Sequence, residues 1–339
     1  MDPSARHATV TILVLAAGMS ACGERSRLPE SADVGPQPTL GEPRTSPIPT
    51  VNVAPAEPWP AGTQPTPAPG LQLSAFAQGL DHPRWLHVLP NGDVLVAETN
   101  APPRPEDGQG VKGWVMKQLM GRAGAASPSA NRITLLRDAD GDGRAEVRSA
   151  FLQGLHSPFG MALIADRFYV AHTDSVWEYP YAAGATRIES AGRKITDLPG
   201  GPINHHWTKS LIASPDGRRL YATVGSNSNV AENGITAEEG RAAIWEIDPA
   251  NGSKRLFATG LRNPNGMAWT GSATEPVLWT VVNERDELGS DLVPDYLTSV
   301  RDGGFYGWPY SWYGTHVDTR AQPPRSGLVS RAIVPDYAL

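Results

Sequence analysis

One phrase returns along this chain, and it limits the fold more than any single motif. Residues 79–98 read GLDHPRWLHVLPNGDVLVAE and residues 154–172 read GLHSPFGMALIADRFYVAH. Residues 198–225 read LPGGPINHHWTKSLIASPDGRRLYATVG, and residues 260–282 read GLRNPNGMAWTGSATEPVLWTVV. Each copy holds an opening turn with proline, a short apolar strand, a second turn and a second strand. Asn91-Gly92 and Asp216-Gly217 are hairpin signals, because these residue types tolerate the positive φ of a tight connection. The segments DVLVAE, DRFYVAH, RRLYATVG and PVLWTVV alternate large apolar with small or polar side chains, the period of half-buried strands. A β-sandwich also uses such strands. Recurrence of the whole phrase favours radial repetition, so the expected fold class is all-β, a β-propeller.

The anchoring prolines, Pro83, Pro158, Pro202 and Pro264, are separated by 75, 44 and 62 residues. A blade takes roughly 40–50 residues, so the longer gaps hold insertions or an extra half blade. One insertion reads as helical. In GVKGWVMKQLMGRAG, residues 110–124, the apolar Val111, Trp114, Val115, Leu119 and Met120 fall on one helix face.

The N-terminus has a different character. Arg6 is followed by a largely apolar run from Ala8 to Ala17 and then by Gly18, Met19, Ser20, Ala21 and Cys22. A short basic region, an apolar stretch too short to span a bilayer, and small residues form a signal peptide. Small residues before a cysteine resemble a bacterial lipobox, with Met19 where Leu is usual. The expectation is a lipoprotein-type signal over residues 1–21, cleavage before Cys22 and acylation of its thiol. Gly23 in the second mature position points to a periplasm-facing outer-membrane lipoprotein. An ordinary secretory signal, giving a secreted or periplasmic protein, is the alternative. Cys22 is the only cysteine, so no intramolecular disulfide forms. Residues 22–70 are dense in proline and lack apolar periodicity, which reads as a disordered tether. The folded domain is expected over 71–339. The net charge of −6 gives no basic footprint for nucleic acid.

Several segments carry chemistry-bearing residues. DADGDG at 138–143 sets Asp138, Asp140 and Asp142 at alternate positions before Gly143. That suits an oxygen-ligand Ca²⁺ loop, yet the twelfth position is Ser149 rather than Glu, and a plain hairpin turn is the favoured reading. His205 and His206 in PINHHWTKS precede a strand, so at most one imidazole faces the central channel. Arg262 and Asn263 lie in the opening turn GLRNPNGMAW. The Arg262 fork suits a carboxylate ligand or a structural ion pair. NERDELGSDLVPDY at 283–296 is a solvated acidic turn or a cation site. GGFYGWPYSWYG at 303–314 suits either sugar stacking or packing between blades.

Taken in order, the His206 segment before SPDGRRLYATVG, GLRNPNGMAW, and the acidic loop running into GGFYGWP resemble the soluble quinoprotein glucose/sorbosone dehydrogenases. The resemblance covers about 71–339, and DADGDG with APPRPEDGQGVKGW places it nearest the L-sorbosone dehydrogenase branch. It implies a six-bladed propeller with pyrroloquinoline quinone (PQQ) on its top face, from which this chain is one or two C-terminal blades short. It implies His206 as the catalytic base, Arg262 and Asn263 against PQQ, and a PQQ-bound Ca²⁺ held by backbone near Gly289 and Ser290. The substrate would be a small sugar, oxidised by hydride transfer, with an electron acceptor of unspecified identity and a membrane met through the lipid. In the glucose enzymes an Asp precedes the catalytic His, and here that residue is His205. An Asp that orients the base is expected near Gly225–Asn227, where the chain reads GSNSN, leaving Ser226 or Asn227 for the hydrogen bond. Two other classes stay open, a Ca²⁺-dependent propeller lactonase and a non-catalytic, surface-tethered carbohydrate-binding propeller.

Overall fold

The structure, a computed structural model, describes residues 25–29, 31–44, 54–60, 62–103, 121–124, 127–272 and 274–339. The signal peptide and Cys22 lie outside these residues, as does most of the expected helix at 110–124. Among the described residues, no helix is long and apolar enough to cross a membrane.

Each recurring phrase opens an antiparallel four-stranded sheet. The first blade is β1 (Pro83–Val88), β2 (Val94–Glu98), β3 (Arg132–Arg137) and β4 (Val147–Leu152), paired in that order. The second is β5 (Met161–Ile164), β6 (Arg167–Ala171), β7 (Ser175–Pro180) and β8 (Arg193–Asp197). The third is β9 (Leu211–Ala213), β10 (Leu220–Val224), β11 (Ala243–Ile247) and β12 (Lys254–Thr259). The fourth begins with β13 (Asn263–Gly271), β14 (Pro276–Asn283) and β15 (Tyr296–Val300). The chain then forms β16 (Gly304–Phe305), parallel to β12, and a hairpin of β17 (Ser311–Trp312) and β18 (His316–Val317). It returns as β19 (Tyr337–Ala338), which pairs with β15 and completes the fourth blade.

The fold is a β-propeller of four blades among the described residues, within the expectation of six less one or two. The residues that lengthen the proline spacing fall between two strands of one blade, between β2 and β3 in the first and between β10 and β11 in the third. In the fourth blade the excursion from 301 to 336, which carries β16, β17 and β18, falls between β15 and β19.

Blades join through side chains that alternate along their strands. On β6, Phe168 and Val170 pack with Leu95, Ile133 and Phe151 of the first blade, whereas Tyr169 and Ala171 pack with Leu211, Leu220 and Ala222 of the third. Phe151 meets Phe168 edge to face at 5.5 Å. On β10, Leu220, Ala222 and Val224 face the second blade and Tyr221 the fourth, where it meets Trp269 at 5.2 Å. Phe151, Phe168 and Leu220 are fully buried, and burying side chains of this size stabilises the fold by about 1.5–3 kcal/mol each. β5 and β9 approach so closely that a Cβ on Gly160 would lie 2.2 Å from Leu211 N.

Antiparallel order puts the loops β2–β3, β6–β7, β10–β11 and β14–β15 at the same end as the connections between blades. The candidate site lies at this end. Part of the segment read as a tether is also found there. Asp291, in the β14–β15 loop, accepts hydrogen bonds from Ser26 Oγ at 2.5 Å, Arg27 N at 2.8 Å and Leu28 N at 3.2 Å, and pairs with Arg44. Gly35 bridges to Ala338 of β19, and Leu40 packs on the fourth blade's core.

Candidate active site

His206 stands in the connection between the second and third blades, half-buried, next to an exposed His205. Its Nδ1 lies 2.8 Å from Ser226 O and 3.1 Å from Ser226 Oγ. A carbonyl only accepts, so Nδ1 carries the proton and Nε2 keeps the lone pair. Ser226 is itself held, by Ser226 N to Arg262 O at 2.8 Å and Ser226 Oγ to Ser228 O at 2.7 Å. Asn227, the other residue expected to reach the imidazole, donates its amide to Ala237 O instead. Burial, then the nearby Arg262 charge, push the His206 pKa down to about 3. The imidazole is therefore neutral at physiological pH.

Arg262 and Asn263 join the end of β12 to β13, beside His206. Gly225 is the contact point: a Cβ there would lie 2.3 Å from Asn263 Oδ1 and 2.5 Å from His206 Cβ. Asn263 Oδ1 is buried without a hydrogen-bond partner, and Asn263 Nδ2 donates to Asn283 Oδ1 at 3.3 Å. Arg262 donates to Glu284 O at 2.6 Å and to Asn229 Oδ1 at 3.1 Å, and it pairs with Asp286 at 3.0 Å. The guanidinium is 8% exposed and the Asp286 carboxylate 77%.

The β14–β15 loop is mostly occupied by its own contacts. Arg285 pairs with buried Asp318, Arg320 reaches Glu287 at 2.9 Å, and Asp295 caps Glu284 N at 2.9 Å. Glu284 is buried, and desolvation pushes its carboxyl up to about 7 against the opposing pull of Arg262. Gly289 has a φ of 106°, open to glycine without strain. It sits with exposed Ser290 between buried Leu288 and Asp291. The aromatic loop after it is a packing element: Tyr306, Trp308, Tyr310, Trp312 and Tyr313 are buried. Trp308 Nε1 donates to Asn229 O at 2.8 Å and so supports the residue that holds Arg262.

The 138–143 loop is not part of this arrangement. Its three aspartates and Glu146 bring carboxylate oxygens within 4.8 Å of one another. Ser149 instead donates to Thr186 O. Asp138 already accepts from Gly141 N and Gly143 N, as a turn-capping side chain does.

Comparison with known proteins now bears on the arrangement. The family model described as TrAA12-like matches residues 130–296, the stretch that holds His206, Arg262, Asn263, Gly289 and Ser290. Residues 130–296 are similar to that family. The PQQ domain of pyranose dehydrogenase from Coprinopsis cinerea is similar in structure, with a TM-score of 0.59 and 17% identity over 81% of this chain and 70% of that one. A Trichoderma reesei carbohydrate-active enzyme of family AA12 gives 0.59 and 16% over 80% and 71%. A glucose dehydrogenase gives 0.53 and 17% over 78% and 74%. At these identities the likeness is one of fold. A search of curated proteins gives no match. The resemblance read from the sequence is upheld in fold and, over residues 130–296, by the family model.

The site has features that fit PQQ, a planar quinone bearing carboxylates. Arg262 has a single carboxylate partner among the described residues, the exposed Asp286, which a ligand carboxylate can replace. Asn263 Oδ1 is a buried acceptor without a partner, open to a donor such as a ring N–H, and Gly225 lets Asn263 and His206 close on the same point of backbone. For the cation that the resemblance implies at Gly289 and Ser290, the side chain of neighbouring Asp291 is already taken by Ser26, Arg27, Leu28 and Arg44.

Sequence reasoning missed the polar layer beneath His206: Asn204, Lys209, Arg241 and Glu238, all buried. Glu238 accepts from Asn227 N at 2.7 Å and from Ser228 Oγ. The available signal was a lysine directly ahead of the apolar strand SLIA, where a core position was due.

Proposed function

We propose that this TrAA12-like domain oxidises a sugar, an aldose or a sugar aldehyde, using PQQ and Ca²⁺. The observation that carries the reading is the state of His206: neutral, its Nδ1–H spent on Ser226 O, and in one corner with Asn263 and Arg262. When bound, PQQ supplies the electron-poor quinone that accepts hydride. In this reading His206 Nε2 takes the hydroxyl proton, Arg262 neutralises a cofactor carboxylate, and Asn263 orients it. The PQQ domain of the Coprinopsis pyranose dehydrogenase, similar in fold, supports the cofactor class. We also propose export through the N-terminal signal and attachment by Cys22.

The test is reconstitution with PQQ and Ca²⁺, following the quinone absorption and then dye reduction by added sugars. His206→Asn is expected to lower kcat by about 10²–10⁴-fold and to leave PQQ affinity nearly unchanged. Arg262→Ala weakens PQQ binding first, and His205→Ala has little effect. Full turnover by His206→Asn, or no binding of PQQ by the wild type, overturns the reading. Lactone hydrolysis with Ca²⁺ alone, or sugar binding without turnover, assigns the domain to one of the other two classes.

A further inference from the structure

The chemistry proposed above makes no use of Lys209, whose side chain is 0% exposed. Its backbone is fixed on both sides. Gly160 N of the second blade donates to Lys209 O at 3.0 Å, and Ser210 N donates to Thr223 Oγ1 at 2.9 Å. The side chain turns back along its own loop. Lys209 Nζ lies 3.2 Å from His206 O, 3.3 Å from Trp207 O and 3.4 Å from Asn204 Oδ1. Successive carbonyls of an extended chain point to opposite sides. Two that converge on one nitrogen require a bend at His206–Trp207, and Lys209 is the donor they converge on. All three neighbours are acceptors, the set that an ammonium with three N–H groups satisfies. Burial, and after it Arg241, push the Lys209 pKa well below the usual lysine value.

Asn204 Oδ1 is shared. It also accepts from Arg241 Nη2 at 3.0 Å, while Arg241 Nη1 donates to Gly225 O at 3.1 Å. Gly225 precedes Ser226, the acceptor for His206 Nδ1. Asn204 is tied in turn to the second blade through Thr173 Oγ1, at 2.8 Å, and Thr173 Oγ1 donates to Trp207 O at 3.0 Å. Both ends of the His206–Ser226 hydrogen bond therefore hang from one buried hub. Lys209 holds the donor side and Arg241 the acceptor side.

We infer that Lys209 is a positioning residue for His206, fixing, with Asn204 and Arg241, the backbone that keeps the imidazole in its Nδ1–H tautomer with Nε2 as the basic nitrogen. The catalytic half of this inference rests on the reading of His206 as the base. The tautomer half does not, and it is measured without cofactor or substrate.

The experiment is a long-range ¹H–¹⁵N spectrum of the histidine-labelled apoprotein, wild type against Lys209→Met, with melting and kinetics alongside. In wild type His206 shows a protonated Nδ1 and an unprotonated Nε2. In Lys209→Met the two nitrogen signals move toward averaged values, while the β-sheet circular dichroism is retained. With PQQ and Ca²⁺ the same variant loses about tenfold or more in kcat, and sugar KM and PQQ affinity stay within about threefold, the pattern of a lost transition-state contribution. Lys209→Arg keeps the wild-type spectrum. If the Met variant does not fold, Lys209→Gln is read in the same way. Unchanged His206 signals in a folded Met or Gln variant overturn the inference, and failure of both to fold assigns Lys209 to the fold alone. A wild type without PQQ-dependent turnover defeats the proposed function, yet the spectra still decide the role of Lys209.

Discussion

Gly225 and Asn263 stand so close that a methyl group on Gly225 would lie 2.3 Å from Asn263 Oδ1. The same methyl would press on His206 Cβ at 2.5 Å. No side chain fits there unless one of the two residues moves. Gly225→Ala is expected to push Asn263 and His206 apart, lower PQQ affinity at least tenfold and reduce turnover further, with little loss of sheet content. Overpacking of a tight site costs about 1–3 kcal/mol, which a domain of this size can absorb. PQQ titration by fluorescence together with a thermal melt checks this. Wild-type affinity in the alanine variant would show that Gly225 does not shape the site.

Glu284 sets a pH dependence of stability. Its folded pKa, about 7, lies above the ordinary value near 4.5, so between these pH values the folded chain holds a proton that the unfolded chain has released. The stabilisation is complete below about pH 4.5 and is lost as pH rises through 7, on the order of 3 kcal/mol across the window. Glu284→Gln cannot ionise. Its melting temperature is expected to match wild type near pH 5 and to exceed it by several degrees at pH 8. A constant difference between the two proteins across pH 5–8 would show that Glu284 does not titrate in this range.

Asp291 is the docking point for residues 26–44. Asp291→Ala removes the acceptor for three donors and the partner of Arg44. Limited trypsin digestion is expected to cut after Arg27 or Arg44 at least ten times faster in this variant, with the blades still resistant. Equal cleavage rates would mean that the segment opens freely despite its contacts.

For attachment, Cys22→Ser is expected to move the protein from the membrane fraction to the soluble periplasmic fraction of a bacterial host. Mass spectrometry of the wild type is expected to show an acylated N-terminal cysteine. An unmodified, soluble wild-type protein would remove the lipoprotein reading.

The strands of the recurring phrase were legible because period two is printed in their side chains. On β6, Phe168 and Val170 serve one blade contact and Tyr169 and Ala171 the next. Both faces are apolar, so the residues announce a strand without saying which neighbour each face meets. The short strands β16, β17, β18 and β19 carry no such period, since two residues cannot show one. Tyr337 and Ala338 form a strand because Leu297 and Tyr296 lie opposite them. The blade count, expected as six less one or two, was left open between four and five for a related reason. Proline spacing measures the residues between blades but does not tell a loop from a sheet. At the site, His206 was legible through its segment and Ser226 was one of the two residues expected to meet it, but the shorter contact is to the Ser226 carbonyl, which any residue at 226 would provide. The donors to Asp291 were hidden by distance, more than 240 residues away in a proline-rich stretch with no period of its own.

The Gly35–Ala338 bridge has a mechanical meaning. Two hydrogen bonds, of 3.0 and 2.9 Å, join a residue near the start of the described chain to its penultimate residue. Tension drawn on the chain ahead of Ser26 falls first on the Asp291 contacts, next on this bridge and then on Arg44. All of these contacts end on the fourth blade, so that blade alone takes up the pull while any of them holds. The contacts of Ser26, Gly35 and Arg44 are then a latch on the fourth blade, the first point at which a pull from the N-terminal side meets the propeller.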